Sequence, residues 1–289
     1  LQMPGEIGRF TPLISVEGLS RAGGTSDLGT DRGGALAAHV GGFWQQSEEL
    51  SFGTMLSYQH SGNDLDAGGD LSSKALTAAV DVAWQRDATW AVAAISYGKT
   101  DLSGDRDFAM TSGLGVEILR RNFDVDTDSH SLGASIHGGY QMGASGGLNY
   151  GPVVGLDYRS TRIAAFSEGG SDRRRISYAE QDFDSLELQL GGQVSQQVQF
   201  GAYPITLAGQ ASYVRELADG RPTSATVTDS AGNSSKIGMT GADDSFGRIG
   251  LSAQMQLSPQ AVGWVSLDGR VGHNAGSQTA LGAGLGMRF

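Results

Sequence analysis

QTALGAGLGMRF, residues Gln278 to Phe289, is the most informative part of the chain. Successive side chains of a strand point to opposite faces, so this segment has two faces of different character. The apolar face carries Thr279, Leu281, Ala283, Leu285, Met287 and Phe289, and the other carries Ala280, Gly282, Gly284, Gly286 and Arg288. An ordinary terminal strand also has an apolar face. A row of glycines and a final aromatic are more typical of a transmembrane β-barrel, whose strands face lipid, a lumen and the interface.

The composition narrows the possible classes of protein. Glycine is abundant, at 45 of 289 residues, while proline occurs six times and cysteine is absent. Without cysteine, neither a disulfide framework nor a thiolate metal site can form. The net charge of −11 argues against nucleic acid as a partner, because phosphate binding needs clustered Lys and Arg. No run approaches the ~18 apolar residues of a membrane-spanning helix.

The spacing of the strands is stronger evidence than any single segment. Twelve segments are long enough to cross a bilayer at a tilt, which needs roughly 9–11 residues. They are 9–18, 34–45, 50–60, 74–84, 90–98, 129–142, 148–162, 183–196, 203–215, 245–257, 261–272 and 278–289. Short connections alternate with longer polar ones rich in Gly and Asp, as in bacterial outer-membrane barrels. A soluble barrel or sandwich has no reason to keep all its long loops at one end.

The inner face of these strands is predicted to be polar. In residues 248–257, for example, Ile249 and Leu251 alternate with Arg248 and Gly250. Charges of both signs on one face indicate a hydrated lumen, because an unpaired charge in a dry core costs several kcal/mol. The predicted lumen-lining residues are Asp157, Arg159, Glu187, Arg248, Asp268 and Arg270.

Aromatic residues near strand ends predict girdles at the two membrane interfaces. These residues are Phe43, Trp44, Trp84, Trp90, Tyr140, Tyr150, Tyr203, Tyr213 and Phe289, although aromatics favour any strand. The predicted fold is therefore all-β: a twelve-stranded antiparallel transmembrane β-barrel of the bacterial outer membrane. A closed sheet is the only sheet that lipid tolerates, since it leaves no unpaired edge.

Three quoted runs carry a resemblance to a known family. They are YGPVVGLDYRSTRIAAFSEGG (150–170), YAEQDFDSLELQLGGQVS (178–195) and DDSFGRIGLSAQMQLSPQAVGWVSLDGRVGHNAGSQTALGAGLGMRF (243–289). They resemble the translocator barrel of autotransporters, most of all the barrels attached to GDSL-type autotransporter esterases. The resemblance covers residues 150–289, and the first half of the chain fits in spacing only.

This resemblance implies a function in protein secretion. In the family, a barrel in the outer membrane anchors an N-terminal passenger and carries it to the cell surface, with a helix in the lumen. The barrel assembly machinery reads the last strand, which here implies Leu285, Met287 and Phe289 as the assembly signal. The glycine row of the last strand is expected to face the lumen and to leave space for a threaded polypeptide.

The chain departs from the family pattern at its N-terminus. No passenger precedes the barrel in this sequence, and residues 1–10 lack the basic start and apolar core of a signal peptide. Residues 1–8 are too short for a lumen helix, and Pro4 and Gly5 disfavour one. We expect a mature or excised segment, with residues 1–8 as a linker remnant and residues 9–289 as the barrel.

The predicted partners follow from this reading of the chain. They are outer-membrane lipid and lipopolysaccharide, the barrel assembly machinery, and the chain's own passenger or linker in the lumen. The basic run Arg173, Arg174 and Arg175 could contact lipopolysaccharide phosphates, or could be a solvated loop tip. We expect a monomer that binds no nucleic acid and needs no cofactor.

The search for catalytic motifs is largely negative. The sequence has five histidines but no HExxH or GDSL motif, and no catalytic or metal-binding residues are predicted. His137 beside Ser135, and Asp243 with Asp244, are the nearest approach to nucleophilic or acid–base chemistry. An outer-membrane phospholipase or protease, and a simple porin-like channel, are therefore alternatives to a translocator that is not itself an enzyme.

Overall fold

A computed structural model describes residues 7–26, 29–64, 69–111, 117–143, 147–169, 176–201, 203–218, 224–229, 231–238, 244–272 and 278–289. Twelve long strands dominate it. They are β1 (Phe10–Ser26), β2 (Gly29–Gln45), β3 (Leu50–Asp64), β4 (Asp70–Arg86), β5 (Thr89–Thr111), β6 (Glu117–Tyr140), β8 (Leu148–Ile163), β11 (Gln181–Phe200), β12 (Tyr203–Glu216), β15 (Ser245–Gln256), β16 (Ala261–Val271) and β17 (Gln278–Arg288). No helix within these ranges is long and apolar enough to cross a membrane.

The twelve long strands form a closed antiparallel barrel. Neighbours in sequence pair around the wall, and β8 pairs with β11 across the residues between them. The ring closes where β17 pairs with β1, from Leu13↔Arg288 to Ala22↔Thr279. The prediction of a closed, twelve-stranded antiparallel barrel is confirmed.

The two barrel ends differ in how the strands are connected. At the end that carries the start of β1 and the end of β17, the connections are short turns. In two of these turns a serine hydroxyl accepts a backbone N–H: Ser47 from Leu50 at 3.1 Å, and Ser258 from Ala261 at 3.0 Å. Such serine turns satisfy backbone donors in a tight reversal, which suits a strand-to-strand connection of a few residues.

At the opposite end, several strands run beyond the predicted boundaries. The pair β5–β6 extends from Thr89↔Tyr140 to Thr111↔Glu117, so much of the predicted loop between residues 99 and 128 is paired strand. The prediction of a loop there was wrong because polarity shows that a segment leaves the membrane, not that its hydrogen bonding stops. Once two strands are in register, each further residue adds a ladder bond without a new loop to close.

Five short strands complete the described structure. β7 (Met142–Gly143) pairs with β8, while β9 (Phe166–Ser167), β10 (Ile176–Tyr178), β13 (Ser224–Asp229) and β14 (Ser234–Gly238) form a second, four-stranded sheet. This sheet joins two of the long connections, because β10 from one pairs with β13 from the other. In the β13–β14 turn, the Asn233 side-chain amide donates to Asp229 at 2.9 Å. That bond, followed by backbone N–H donors, lowers the pKa of Asp229.

Side-chain exposure separates the two faces of the wall. On β17, Leu281 and Leu285 are 57 % and 55 % exposed, whereas Gly282 and Gly286, which follow them directly, are buried. The same alternation of exposed apolar and shielded small or polar residues recurs around the barrel. Large apolar side chains are exposed on every long strand whose burial is fully described, which is the outer face of a barrel in lipid.

The outer face also carries aromatic residues near the short-turn end. Trp44 and Phe52 lie with ring centroids 6.4 Å apart, and Tyr140, Tyr150 and Tyr203 are exposed at the same end. Two residues predicted for the girdles lie elsewhere, since Phe43 and Trp90 share inward-facing cavities with lumen residues. That part of the prediction was wrong because proximity to a strand end sets the height of a side chain, while its parity along the strand sets its face.

Candidate functional site: the barrel lumen

The lumen wall is built from large side chains that lie across glycines. In four places, an inward-pointing large residue sits directly opposite a glycine of the next strand: Trp264 and Gly284, Trp90 and Gly139, His137 and Gly155, and Asp81 and Gly53. A Cβ atom on any of these glycines would collide with the partner's side chain, for example 2.8 Å from the Trp90 ring at Gly139. Glycine in a strand often marks such a close approach.

This arrangement explains the abundance of glycine on the inner face. A large residue opposite a glycine can lie flat against the wall, whereas one opposite a side chain must stand up into the lumen. The predicted glycine row of β17 does face inward, but the space beside Gly284 is filled by the Trp264 indole. The prediction that this row itself leaves room for a polypeptide was therefore wrong at Gly284. Its effect is to keep Trp264 against the wall.

Ionic side chains on the inner face form two groups of contacts, one between β6 and β8 and the other between β11 and β15. Nε2 of His137 on β6 lies 2.9 Å from Oδ1 of Asp157 on β8. Arg248 on β15 donates from Nη2 to Glu187 on β11 at 3.0 Å, and from Nη1 to the buried Gln189 at 3.4 Å. The two Arg248 contacts join β15 to β11, which are not adjacent. Strand β12 lies between them, with Ser212 opposite Gly191 on one side and Arg248 on the other.

A second polar group lies on the first three strands. Nδ1 of His39 is 2.7 Å from the hydroxyl of Ser57, and its Nε2 is 3.5 Å from the carboxylate of Glu17. The sequence analysis did not single out these residues. His39 lies opposite Ser57 and Ser15 in the register, and Glu17 shares the inward face of β1 with Ser15. This alternation is the signal that places them in the lumen.

The outer end of the lumen contains a cavity of about 580 Å³ lined by four arginines. They are Arg21, Arg159, Arg248 and Arg270, and Asp268 is the one acid among the described residues that line the cavity. These residues come from β1, β8, β15 and β16, and only an interior space brings those strands together. The ring of Phe246 lies beside two of these arginines. The guanidinium carbons of Arg248 and Arg270 are 5.6 Å and 4.5 Å from the ring centroid.

Five of the six residues predicted to line the lumen contribute to this cavity or to the Arg248 network. Arg159, Arg248, Asp268 and Arg270 line the cavity, and Glu187 binds Arg248. Asp157 lies apart, bound to His137. Sequence analysis missed Arg21, which follows the same inward parity on β1, because the prediction ended that strand at residue 18.

The candidate catalytic residues are not assembled into a reactive site. His137 bonds Asp157, and no hydrogen bond joins it to Ser135 among the residues the structure describes. Asp243 lies outside those residues, and the backbone carbonyl of Asp244 accepts the N–H of Glu216 at 2.7 Å. Within the same ranges, no group of His, Asp and Glu could hold a metal ion.

The last strand places its predicted assembly residues on the outer face. Leu285, Met287 and Phe289 are 55 %, 48 % and 68 % exposed. The backbone N–H of Phe289 donates to the carbonyl of Pro12 at 3.2 Å, so the chain end is fastened to the first strand. The basic run Arg173–Arg175 and most of the predicted linker, residues 1–6, lie outside the described residues.

An exposed apolar belt, a polar lumen and full closure define this protein as a transmembrane β-barrel of the bacterial outer membrane. The family model of the autotransporter beta-domain matches residues 17–268. The chain belongs to the autotransporter beta-domain family. Its function is to anchor an N-terminal passenger in the outer membrane and export it to the cell surface, and the family's barrels are not themselves enzymes.

Solved structures of outer-membrane translocator domains share this fold. The translocator domain of NalP from Neisseria meningitidis has a TM-score of 0.72 at 16 % identity, covering 97 % of this chain and 88 % of that one. The Bordetella BrkA beta domain gives 0.62 at 13 %, covering 96 % and 100 %. The AIDA-I transport unit from Escherichia coli gives 0.53 at 9 %, covering 100 % and 93 %. No curated protein matches the chain.

Proposed function

We propose that the passenger crosses the membrane through the lumen of this barrel, along the wall where large residues lie flat over glycines. The observation that carries this proposal is the set of four opposed pairs, exemplified by Trp264 over Gly284 and Trp90 over Gly139. A wall that holds its bulky side chains down keeps the bore open for an extended or helical polypeptide. Ordinary packing in a dry core has the opposite tendency and fills such space.

The six predicted lumen residues have a supporting role in this proposal. Charged groups on the inner face keep the bore hydrated, so a polar polypeptide meets no dry barrier. The pairs Glu187–Arg248 and His137–Asp157 hold three of these six residues in fixed positions. Arg159 and Asp268 are available to the linker. Residues 1–8 are the remnant of that linker, and residues 9–289 form the barrel.

Assembly depends on the end of the chain in this proposal. Leu285, Met287 and Phe289 form an apolar outward row, which the barrel assembly machinery reads before the strand closes against β1. Lipopolysaccharide contacts the outer face and the basic run Arg173–Arg175, and the barrel works as a monomer without a cofactor. The likeness to barrels of GDSL-type esterases stays a prediction, and any esterase activity belongs to a passenger rather than to this chain.

A surface-exposure assay tests the route. A reporter passenger with a signal peptide is fused upstream of Leu1, and intact cells are treated with external protease. The double variant Ser252→Trp/Ser266→Trp adds two indoles to the inner face at paired positions of β15 and β16. We expect at least about a tenfold drop in protease-accessible passenger. Ser252 lies opposite Ala208 and Ser266 rather than a glycine, so its added ring has no glycine to lie across and stands in the lumen.

The matched control is Leu251→Trp/Val265→Trp, which adds the same rings to the outer face, where both native side chains are about half exposed. This control should export the passenger at the unmodified level. Equal barrel content in the membrane fraction is required for the comparison. Export that is unchanged by the inner pair, or lost equally with the outer pair, would contradict passage through the lumen.

A further inference from the structure

The cavity at the outer end of the lumen has a charge that the rest of the protein does not share. The chain as a whole carries −11, yet this cavity is lined by four arginines and one aspartate. The acidic excess of the chain therefore lies elsewhere, and the cavity is locally cationic. A space of about 580 Å³ with low-dielectric walls concentrates that field on whatever occupies it.

Two of the arginines are held at close quarters despite their like charge. Arg248 and Arg270 lie directly opposite one another on β15 and β16, a cross-strand arrangement that is destabilising for like charges. The Phe246 ring lies within cation–π distance of both guanidinium groups, and the carboxylate of Glu187 pairs with Arg248. Phe246 and Glu187 thus stabilise the two guanidinium groups in their positions.

The other two arginines have no partner of their own among the described residues. Arg21 and Arg159 make no ion pair or side-chain hydrogen bond within the part of the chain that the structure describes, and both are exposed to the cavity. Each guanidinium presents several N–H donors in a planar fork that matches a carboxylate in two-point contact. Both forks are therefore free to bind an anion that enters the lumen.

We propose that Arg21 and Arg159, supported by Arg248 and Arg270, form a carboxylate-binding site for an acidic segment of the polypeptide inside the lumen. The assignment to a polypeptide rests on the proposed function, because the site lies on the path of the exported chain. Several Asp or Glu side chains in sequence engage several arginines at once, which raises their affinity above that of a single carboxylate. Asp268 limits the site by repelling anions on one side.

Isothermal titration calorimetry with the full chain refolded in detergent tests the site. Hexaglutamate is the probe, and hexaglutamine and inorganic phosphate are titrated separately at the same ionic strength. We expect hexaglutamate to bind and hexaglutamine not to bind. The double variant Arg21→Gln/Arg159→Gln should weaken hexaglutamate binding about tenfold or more, with a smaller dependence on salt, because two charge-assisted contacts are lost.

The matched control is Arg162→Gln/Arg215→Gln, which removes the same charge from outward-facing positions of β8 and β12. Binding by this control should equal that of the unmodified chain. Equal weakening in the two double variants overturns the site, because it shows a general charge effect. Phosphate binding as tight as that of hexaglutamate also overturns it, since that result assigns the arginines to a free anion.

The outcome is independent of passenger export. A barrel that exports its passenger through the lumen but does not bind hexaglutamate overturns the carboxylate site alone. Conversely, hexaglutamate binding that is lost in Arg21→Gln/Arg159→Gln supports the site even when the surface-exposure assay assigns the passenger another route.

Discussion

Deleting the last five residues, 285–289, is expected to remove the folded barrel from the outer membrane. The deletion takes away four of the paired positions that join β17 to β1, including Val16↔Leu285 and Leu13↔Arg288. The backbone groups released on β1 would face lipid, where each unsatisfied group costs several kcal/mol. Cell fractionation and the heat-dependent shift of the barrel in gel electrophoresis measure the result, and we expect no heat-modifiable species.

A point substitution separates assembly from closure. Phe289→Ser keeps the backbone bond to Pro12 but removes the terminal aromatic. We expect normal refolding of the purified chain in detergent and about a tenfold loss of assembled barrel in cells, because recognition rather than pairing is changed. Phe200→Ser is the control, since Phe200 is an equally exposed aromatic, at 71 %, near the same barrel end.

Two outcomes would contradict this account of the last strand. A heat-modifiable barrel in the outer membrane after deletion of residues 285–289 would show that closure does not need the end of β17. Equal losses in cells for Phe289→Ser and Phe200→Ser would show that any interfacial aromatic, rather than the terminal one, supports assembly.

An arginine placed on the outer face of β15 is expected to be far more destabilising than one placed beside it on the inner face. Leu251 lies in the middle of β15 and is 52 % exposed, so Leu251→Arg puts a charge against lipid. The expected loss is about 2–4 kcal/mol in the free energy of unfolding, the cost of a midplane charge on a barrel. Ser252→Arg reaches the hydrated lumen instead, and we expect less than about 1 kcal/mol.

Urea unfolding of the purified chain in lipid vesicles, followed by tryptophan fluorescence, measures this difference. The two variants carry the same new charge one residue apart, so the comparison isolates the face. Equal losses at the two positions, or a larger loss for Ser252→Arg, would mean that the faces have been assigned the wrong way round.

Much of the barrel follows from sequence alone because membrane and water impose a strict rule on each strand. The alternation around Leu281 and Leu285 identifies both the strand and its outer face, since a shift of one residue would expose polar groups to lipid. Twelve such segments with alternating connections leave one closed antiparallel arrangement. Residues 90–98, whose alternation is blurred by Ala and Gly, pair in continuous register with β4 and β6.

The regions outside the membrane were less predictable. Residues 99–111 and 117–128 continue β5 and β6, although their polar composition resembles that of a loop. Outside the membrane both faces of a strand can meet water, so no alternation of apolar residues marks the strand in the sequence. The small sheet that pairs β10 with β13 depends on contacts between two separate connections, and local sequence carries no record of such a contact.

The lumen was predicted in outline but not in its contacts. Parity placed Arg248 and Glu187 on the inner face, yet their mutual bond spans β12 and depends on side-chain reach across the curved wall. The role of glycine was also beyond sequence analysis, because Gly284 acquires its meaning only from the indole of Trp264 opposite it. The face on which a residue lies follows from the two-residue period of a strand. Its cross-strand partner follows from the pairing register, which the sequence does not give.

Disulfide trapping of a stalled passenger tests most directly whether the lumen is the export route. The chain contains no cysteine, so introduced cysteines are the only thiols when the passenger also lacks them. One cysteine is placed in the linker upstream of Leu1, and its partner is either Ser266→Cys on the inner face or Val265→Cys on the outer face. A ligand-stabilised domain in the passenger halts export. The account predicts a linker–barrel disulfide with Ser266→Cys and none with Val265→Cys, whereas trapping at Val265→Cys, or at neither position while the passenger reaches the surface, would contradict it.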